Sequence, residues 1–539
     1  MTEAVLRPAP ILVAFEGDAA PPDVLTGIRA GRPGVTLYRS LNLFSPDQVR
    51  ALADEVHAAA AAGGLPPAIV SLDQEGGQLM AVGAATPFPG NLALAATRSP
   101  ELAEAVGRAI GMELAALGIT VNFAPDCDLA TNLDNPSVGT RSFGDDPDLA
   151  ARLAAAFVRG HQSAGVAATA KHFPGGGDRS IDPHYGLPIS RHDLDRLRRV
   201  ELPPFKAAID SGCRLVMGAH LALPAIDGLA DRPVMLSSRI LVDLLRGELG
   251  FEGVVVSDAL DMGALDQSRL VMDAAEALQS GVDLLLAGPA QAGRTDLLLD
   301  IDRAFASRSG LAGGSLPRVA GDAAAAGAAG AEVAFGRIDA LRRWLATHTA
   351  ERPSISVVAG AEHQALALEV ARRSVTQVFD RTGLLPLRPH PDRRVVVVVP
   401  RPADLTPADT SSSVAIELGA ALQGAGIAVD EIRVSIDPDP GGIAGAAERI
   451  RGASIAIVGT INARLHRGQA AIAEACHAAG VPTIVVALRM PDDIEVVQSA
   501  GAYLCTYSIQ PPSVTALVEV LTGRLQATGQ LPIRMAIPG

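Results

Sequence analysis

Aromatic side chains are scarce in this chain: one Trp, four Tyr and twelve Phe among 539 residues, 3% in all. Its cores are therefore expected to be built from Ala, Val, Leu and Ile, the material of parallel sheets covered by helices. Cysteine is scarce too. Cys127, Cys213, Cys476 and Cys505 lie far apart, without the short paired spacings of a zinc site or a disulfide framework, and are expected to be free thiols in a reducing compartment. No HExxH, CxxC or EF-hand spacing appears, so neither a metal nor a cofactor is expected. Basic residues are outnumbered, 45 Lys and Arg against 59 Asp and Glu, and the formal charge of −14 argues against a nucleic-acid partner. No apolar run is long enough to cross a bilayer. The opening MTEAVLRPAPILVAFEGD has neither the basic start nor the long apolar stretch of a signal peptide, so no membrane partner and a cytoplasmic location are expected.

What is present is an alternation. Short β-branched runs recur between Ala- and Leu-rich stretches of helical period, the pattern of βα units. Eight such runs fall in the first 290 residues, at 11–15, 35–38, 68–72, 119–123, 167–172, 214–219, 254–257 and 283–287. Eight parallel strands favour closure, which removes the two vulnerable sheet edges. The expected architecture is a (β/α)8 TIM-like barrel over residues 1–345. The Ala- and Gly-rich stretch 310–336, a helix over 337–347 and ERPSIS then read as the end of the barrel and a linker, 346–390. A second α/β pattern, with strands at 395–399, 455–458, 483–487 and 502–506, predicts a doubly wound α/β sandwich domain over 391–539. No GxGxxG follows the first of those strands, so a nucleotide role is unsupported.

Polar residues gather at or just after the C-terminal ends of the barrel runs: Asp73 and Glu75, Asp126 and Asp128, Lys171 and His172, His220, and Asp258. That is the face where the loops of a barrel converge on an active site. In VVVSD a fully apolar strand ends in Asp258. A carboxylate held there either attacks the anomeric carbon of a sugar or caps a helix starting near Leu260. In KHFPGGGDRSIDPHYGLP, glycines and prolines dictate an irregular loop. Asp182 and His184 stand two apart in it, and Pro183 favours an extended Asp182, so carboxylate and imidazole are expected on one side. That pair suits proton transfer, against the alternative of a solvated histidine beside a turn-forming Asp. Asp73, Arg141, Lys171 and His172 either hydrogen-bond sugar hydroxyls or serve structure: Asp73 beside Gly amides, Arg141 on the surface with Asp145 or Asp146. His220 reads as structural.

Four segments together, SLDQEGG (71–77), NPSVGTRSFG (135–144), KHFPGGGD with DPH (171–184) and VVSDALDMGAL (255–265), resemble glycoside hydrolase family 3 in its β-N-acetylglucosaminidase branch. The resemblance implies Asp258 as nucleophile, His184 with Asp182 as the Asp-His acid/base dyad of that branch, and Asp73, Arg141, Lys171 and His172 as sugar-binding residues. The stretch 367–387, ALEVARRSVTQVFDRTGLLPL, looks like the start of the family's second domain. Two departures stand out. Gly176 replaces the histidine of the usual KHFPGHGD, which is expected to loosen the loop and lower turnover, and Pro183 replaces the usual Ser inside the dyad, which restricts its swing.

The expected function is retaining hydrolysis that removes terminal non-reducing β-N-acetylglucosamine from a small carbohydrate, with peptidoglycan and chitin fragments equally compatible. Phosphorolysis is the second reading, because an imidazole does not repel an anionic acceptor. A catalytically weakened sugar-binding homologue is the third, resting on Gly176.

Overall fold

The computed structural model describes residues 8–308, 322–348 and 351–537. Each of the eight β-branched runs forms a strand: β1 (Ile11–Val13), β2 (Gly34–Thr36), β3 (Ile69–Leu72), β4 (Val121–Asn122), β5 (Ala167–Phe173), β6 (Leu215–Gly218), β7 (Val254–Ala259) and β8 (Leu284–Leu286). They pair in parallel, each with its neighbours in sequence, and β8 closes on β1. From β1 to β6, and over Val254–Ser257 of β7, every strand residue is buried, because the barrel core lies on one face and the helical ring on the other.

Three outer helices start alike. Ser45, Ser99 or Asp146 accepts a hydrogen bond from a first-turn amide, and a proline with no N–H to lose takes the first helical position, giving Pro46–Ala62, Pro100–Ala116 and Pro147–Ser163. In the last of these Leu149, Leu153 and Phe157 recur every fourth residue and are buried, so the helix lays one apolar stripe on the barrel.

The Ala- and Gly-rich stretch 310–336, read with the helix over 337–347 and ERPSIS as the end of the barrel and a linker, is helical over its described part. Residues 309–321 lie outside the described residues, but α1 (Asp322–His348) begins well before 337. Alanine is the strongest helix former, so an Ala-rich stretch needs no clear apolar period to be helical. On α1 Ile338, Leu341 and Leu345 are buried, and the buried Arg342 donates to the carbonyls of Pro66 and Pro67.

The segment 346–390, expected to be a linker, holds α2 (Ala361–Ser374) and β9 (Thr376–Asp380). β9 belongs to the second sheet, which it joins antiparallel at the edge. The other strands are β10 (Val395–Pro400), β11 (Val429–Val434), β12 (Ile455–Thr460), β13 (Thr483–Ala487) and β14 (Ala502–Cys505), in the order β9-β14-β13-β12-β10-β11. Apart from β9 the sheet is parallel and doubly wound, reversing direction between β10 and β12. All six residues of β10 are buried between helices on both faces, each valine contributing about 1.5–3 kcal/mol.

The C-terminal edge of this sheet faces the C-terminal rim of the barrel. One of the barrel's contact pieces is the hairpin Gln74–Gly76 and Leu79–Met80 that follows β3. Thr410, in the loop after β10, donates its amide to the Gln78 carbonyl at 2.8 Å, and its hydroxyl accepts from the Met80 amide at 3.2 Å. Arg489, after β13, pairs with Asp409 at 2.8 Å and donates to the Gln78 side chain; Gln510, after β14, donates to the Gly77 carbonyl at 2.7 Å. Among the described residues no helix is long and apolar enough to cross a membrane.

Candidate active site

A cavity of about 700 Å³ opens at the C-terminal rim of the barrel, within the size range of small-ligand sites. Asp73, Arg141, Lys171, His172, His184 and Asp258 all line it, and Asp182 stands directly behind His184. These seven residues therefore meet in one place, although they come from β5, β7 and the loops after β3, β4 and β5.

Asp258 is the fifth residue of β7, partly exposed to the cavity. The helix of the alternative, capping reading does not begin at 260; a turn follows, and the next helix is Leu270–Ser280. Oδ1 of Asp258 accepts from the Ala259 amide at 2.8 Å. Burial by itself would raise its carboxyl, but His172 first, then His220 and that amide, outweigh the burial and hold it below the usual carboxylate range. It is thus poised as an anion. His220, buried after β6, donates through Nε2 to the Ala259 carbonyl at 2.9 Å, clamping the end of β7, which fits the structural reading.

The dyad forms, but not in extended chain. Asp182 opens a turn in which the Tyr185 amide donates to the Asp182 carbonyl at 2.9 Å. Within it Oδ1 of Asp182 accepts from both the His184 amide at 3.0 Å and the His184 ring Nδ1 at 2.6 Å. The carboxylate folds back over its own turn, the Asx geometry that aspartate favours, and this replaces the same-side extended pairing expected from Pro183. Burial would raise the Asp182 carboxyl; the His184 N–H groups outweigh it and lower it. With Nδ1 taken, Nε2 is the ring nitrogen left to exchange a proton. The loop is also tied to the turn that follows Asp258 and β7: the Gly263 amide donates to the His184 carbonyl at 3.0 Å and the Ala264 amide to the Pro183 carbonyl at 2.9 Å.

The opposite wall is a charge network. Arg141 is buried, not on the surface, and grips Glu75 with two donors at 2.9 and 2.7 Å. Asp145 pairs instead with Arg534. Lys171 Nζ lies 2.7 Å from Glu75 and 2.5 Å from Asp73, so Asp73 is held by an ammonium rather than by Gly amides. Burial alone would raise Glu75, but Arg141 and then Lys171 outweigh it and bring its carboxyl down to about 2. Asp126 moves the other way, pushed up to about 6 by burial and then by Asp128. His172 donates through Nδ1 to Asp128 at 2.9 Å.

The ligand atoms of Asp126, Asp128 and His172 lie within 4.8 Å of one another, a spacing that can hold a metal ion. Arg141 stands 3.5 Å from Asp126, and the His172 ring and Arg179 stand 2.9 and 3.9 Å from Asp128, so each carboxylate already has a partner from the chain, while Oδ2 of Asp126 is buried without a hydrogen bond.

The model for the glycosyl hydrolase family 3 N-terminal domain matches residues 25–302, which run from before β2 to beyond β8 of the barrel. The chain belongs to glycosyl hydrolase family 3. With that it belongs among the glycosidases. A beta-hexosaminidase from Alkalilimnicola ehrlichii is 34% identical over 285 residues, 51% of this chain and 80% of that protein. A beta-hexosaminidase A from Pseudoalteromonas piscicida is 39% identical over 247 residues, 43% of this chain and 41% of that protein, so the chain spans less than half of the latter's length. The structure of a family 3 beta-N-acetylglucosaminidase from a Paenibacillus species superposes with a TM-score of 0.88 at 33% identity, covering 100% of this chain and 99% of that one. The (β/α)8 barrel with its second α/β domain is thus the fold of a solved family 3 enzyme.

Several residues of this family 3 site carried no role in the sequence. Glu75, two residues after Asp73, is the common partner of Arg141 and Lys171; its place after the third barrel run, in SLDQEGG, put it at the rim without giving it a role. Arg179, in GGGDRS, lines the cavity and is 3% exposed. The loop after β10 reaches the cavity with Asp404, Asp409, Thr410, Ser412 and Ser413, a contribution from the second domain that no motif in PADLTPADTSSS announces.

Proposed function

We propose that this family 3 chain is a retaining β-N-acetylhexosaminidase that removes terminal non-reducing β-N-acetylglucosamine in two displacements. Asp258 attacks the anomeric carbon; the C1–carboxylate bond forms as the glycosidic C1–O bond breaks, and His184, as imidazolium, gives the Nε2 proton to the departing oxygen. In the second step His184 takes a proton from water, whose oxygen attacks C1 and releases Asp258, so the anomeric configuration is retained. Asp182 holds the ring tautomer and stabilises the imidazolium.

The observation that carries this reading is the pinning of the His184 loop to Gly263 and Ala264, five and six residues beyond Asp258, with both side chains lining one cavity. Proton donor and nucleophile are thereby referenced to the same backbone, as a concerted step requires. Support also comes from the relatives named beta-hexosaminidase and beta-N-acetylglucosaminidase.

On the sugar side, Asp73 and His172 are the groups best placed to meet hydroxyls. Lys171 keeps one of its three N–H donors beyond Asp73 and Glu75. Arg141 is engaged with Glu75 and the Ser137 carbonyl, and serves chiefly to hold that wall. All four cysteines are buried and unpaired, which supports a reducing compartment.

Replacing Asp258 by Ala is expected to lower kcat/KM on an aryl N-acetyl-β-glucosaminide by more than about 10³-fold, the scale on which nucleophiles are lost. A variant that keeps near-full activity refutes the assignment. The same assay with and without inorganic phosphate tests phosphorolysis. That second reading draws on His184, which presents no negative charge to an anionic acceptor. An inert wild-type protein points instead to a sugar-binding role.

A further inference from the structure

The site has an unexplained feature at residue 176, where the glycine departs from the histidine of KHFPGHGD. The space beside it is not empty. A Cβ on residue 176 would lie 2.5 Å from Nη1 and 3.0 Å from Cζ of Arg179, and 3.1 Å from Oδ2 of Asp128. The guanidinium of Arg179 fills the volume that a side chain at 176 would enter, so the expectation of a loosened loop is not met.

Arg179 is also fixed there. It is 3% exposed, donates to the Ser137 hydroxyl through Nε at 3.2 Å and Nη2 at 3.0 Å, and pairs with Asp128 at 3.9 Å. Three groups of the β5 segment thus converge on Asp128: the Gly176 amide at 2.6 Å, the His172 ring at 2.9 Å and the Arg179 guanidinium. Asn135 locks the same turn by donating to the carbonyls of Gly176 and Gly177 at 3.0 and 2.8 Å. His172, whose ring orientation Asp128 sets, lines the cavity.

We propose that Arg179 is a positioning residue of this active site, occupying the place a side chain at 176 would take and orienting the sugar-facing His172 through Asp128. Gly176 and Arg179 then form one exchangeable unit: the glycine is what makes room for the arginine, and the arginine supplies the polar partner that the glycine cannot. The inference rests on reading the cavity as a glycosidase site. It makes residues 176 and 179 energetically coupled, and Arg179 in addition acts on the dyad through its charge, which helps lower the Asp182 carboxyl.

A double-mutant cycle tests it, with the full-length protein as wild type, G176H, R179A and G176H/R179A. Arg179→Ala is expected to lower kcat/KM on an aryl N-acetyl-β-glucosaminide by about tenfold to a hundredfold, the worth of a buried charged hydrogen bond, with KM rising more than kcat falls because His172 acts in binding. Gly176→His alone is expected to lose activity and lower Tm, since the new ring collides with a guanidinium that is hydrogen-bonded in place. In the R179A background the same histidine is expected to recover kcat/KM at least tenfold over R179A and to leave Tm unchanged or raised. A double variant no more active than the worse single variant, or Tm losses that simply add, overturns the proposal. If the wild type turns over no glycoside, the activity reading fails on its own, and the Tm cycle still decides whether the two residues exchange.

Discussion

Gly263→Ala is the perturbation that most directly probes how the acid/base loop is held. A Cβ at 263 would lie 2.7 Å from the His184 carbonyl oxygen and 3.1–3.2 Å from the backbone of Tyr185. Restoring ordinary van der Waals separation moves the loop by roughly half an ångström or more, at the expense of the 3.0 Å bond from the Gly263 amide and the adjoining 2.9 Å bond from Ala264 to Pro183. Two net backbone hydrogen bonds are worth on the order of 1–3 kcal/mol, so the loop detaches before β7 distorts. A misplacement of 1 Å costs about 10²-fold in a positioned reaction, and half that displacement about tenfold. The loss should depend on the leaving group. kcat/KM reports the first displacement, in which a poor leaving group needs the His184 proton and an activated phenol hardly does. We expect kcat/KM for a disaccharide or alkyl N-acetylglucosaminide to fall about tenfold or more. The value for an activated aryl glycoside should stay within about twofold, while its kcat falls because the second displacement needs His184 as base. Equal loss of kcat/KM across the leaving-group series refutes the reasoning, since it would mean that the substitution damages Asp258 or sugar binding instead.

Two further outcomes follow from the electrostatics. Asp182→Asn keeps the size of the side chain that meets Nδ1 at 2.6 Å and removes its charge. A charge-assisted hydrogen bond of about 1.5–3 kcal/mol predicts kcat lower by about tenfold to a hundredfold, and no added loss when combined with His184→Ala; full additivity of the two changes counts against a dyad. Asp493, buried beside Asp492 in the second domain, has its carboxyl pushed up to about 7, by burial first and Asp492 second. A carboxyl raised in this way supports the fold fully below its ordinary pKa near 4 and withdraws that support as pH rises through 7. The component is on the order of a few kcal/mol, so Asp493→Asn should flatten the fall of Tm between about pH 4 and pH 7. An unchanged slope refutes it.

What the sequence discloses and what it hides divides along a physical line. Strands buried on both faces must be apolar throughout, so every barrel strand and the four inner strands of the second sheet are visible as runs. The two missed strands are the edges: TQVFD at 376–380 and VDEIRV at 429–434 keep only Thr376, Ile432 and Val434 buried, because an edge strand meets solvent and tolerates charge. Site residues follow the same rule. Asp258 and Lys171 are legible because a charge closing an apolar strand has no other place to be than the barrel rim. Asp182 and His184 are legible as a pair at a separation of two, which either extended chain or an Asx turn can close. The sequence determined the partnership without determining the conformation.

Partners brought together only by closure are not legible. Arg141 and Glu75 stand 66 residues apart, and the Thr410–Gln78 bond spans 332. The second domain's approach to the cavity nevertheless has a rationale in its topology. A doubly wound sheet presents a crevice where its strand order reverses, at the C-terminal ends of the strands. Here that reversal lies between β10 and β12, and the loop leaving β10 supplies Asp404, Asp409, Thr410 and Ser412 to the cavity. The barrel offers its own C-terminal rim through the hairpin at Gln74–Gly76 and Leu79–Met80, so two folds that each place function at the same end of their strands meet end to end. Arg489 fixes that meeting by joining Asp409 of the loop to Gln78 of the hairpin. Polar groups of the second domain therefore line the cavity together with those of the barrel rim.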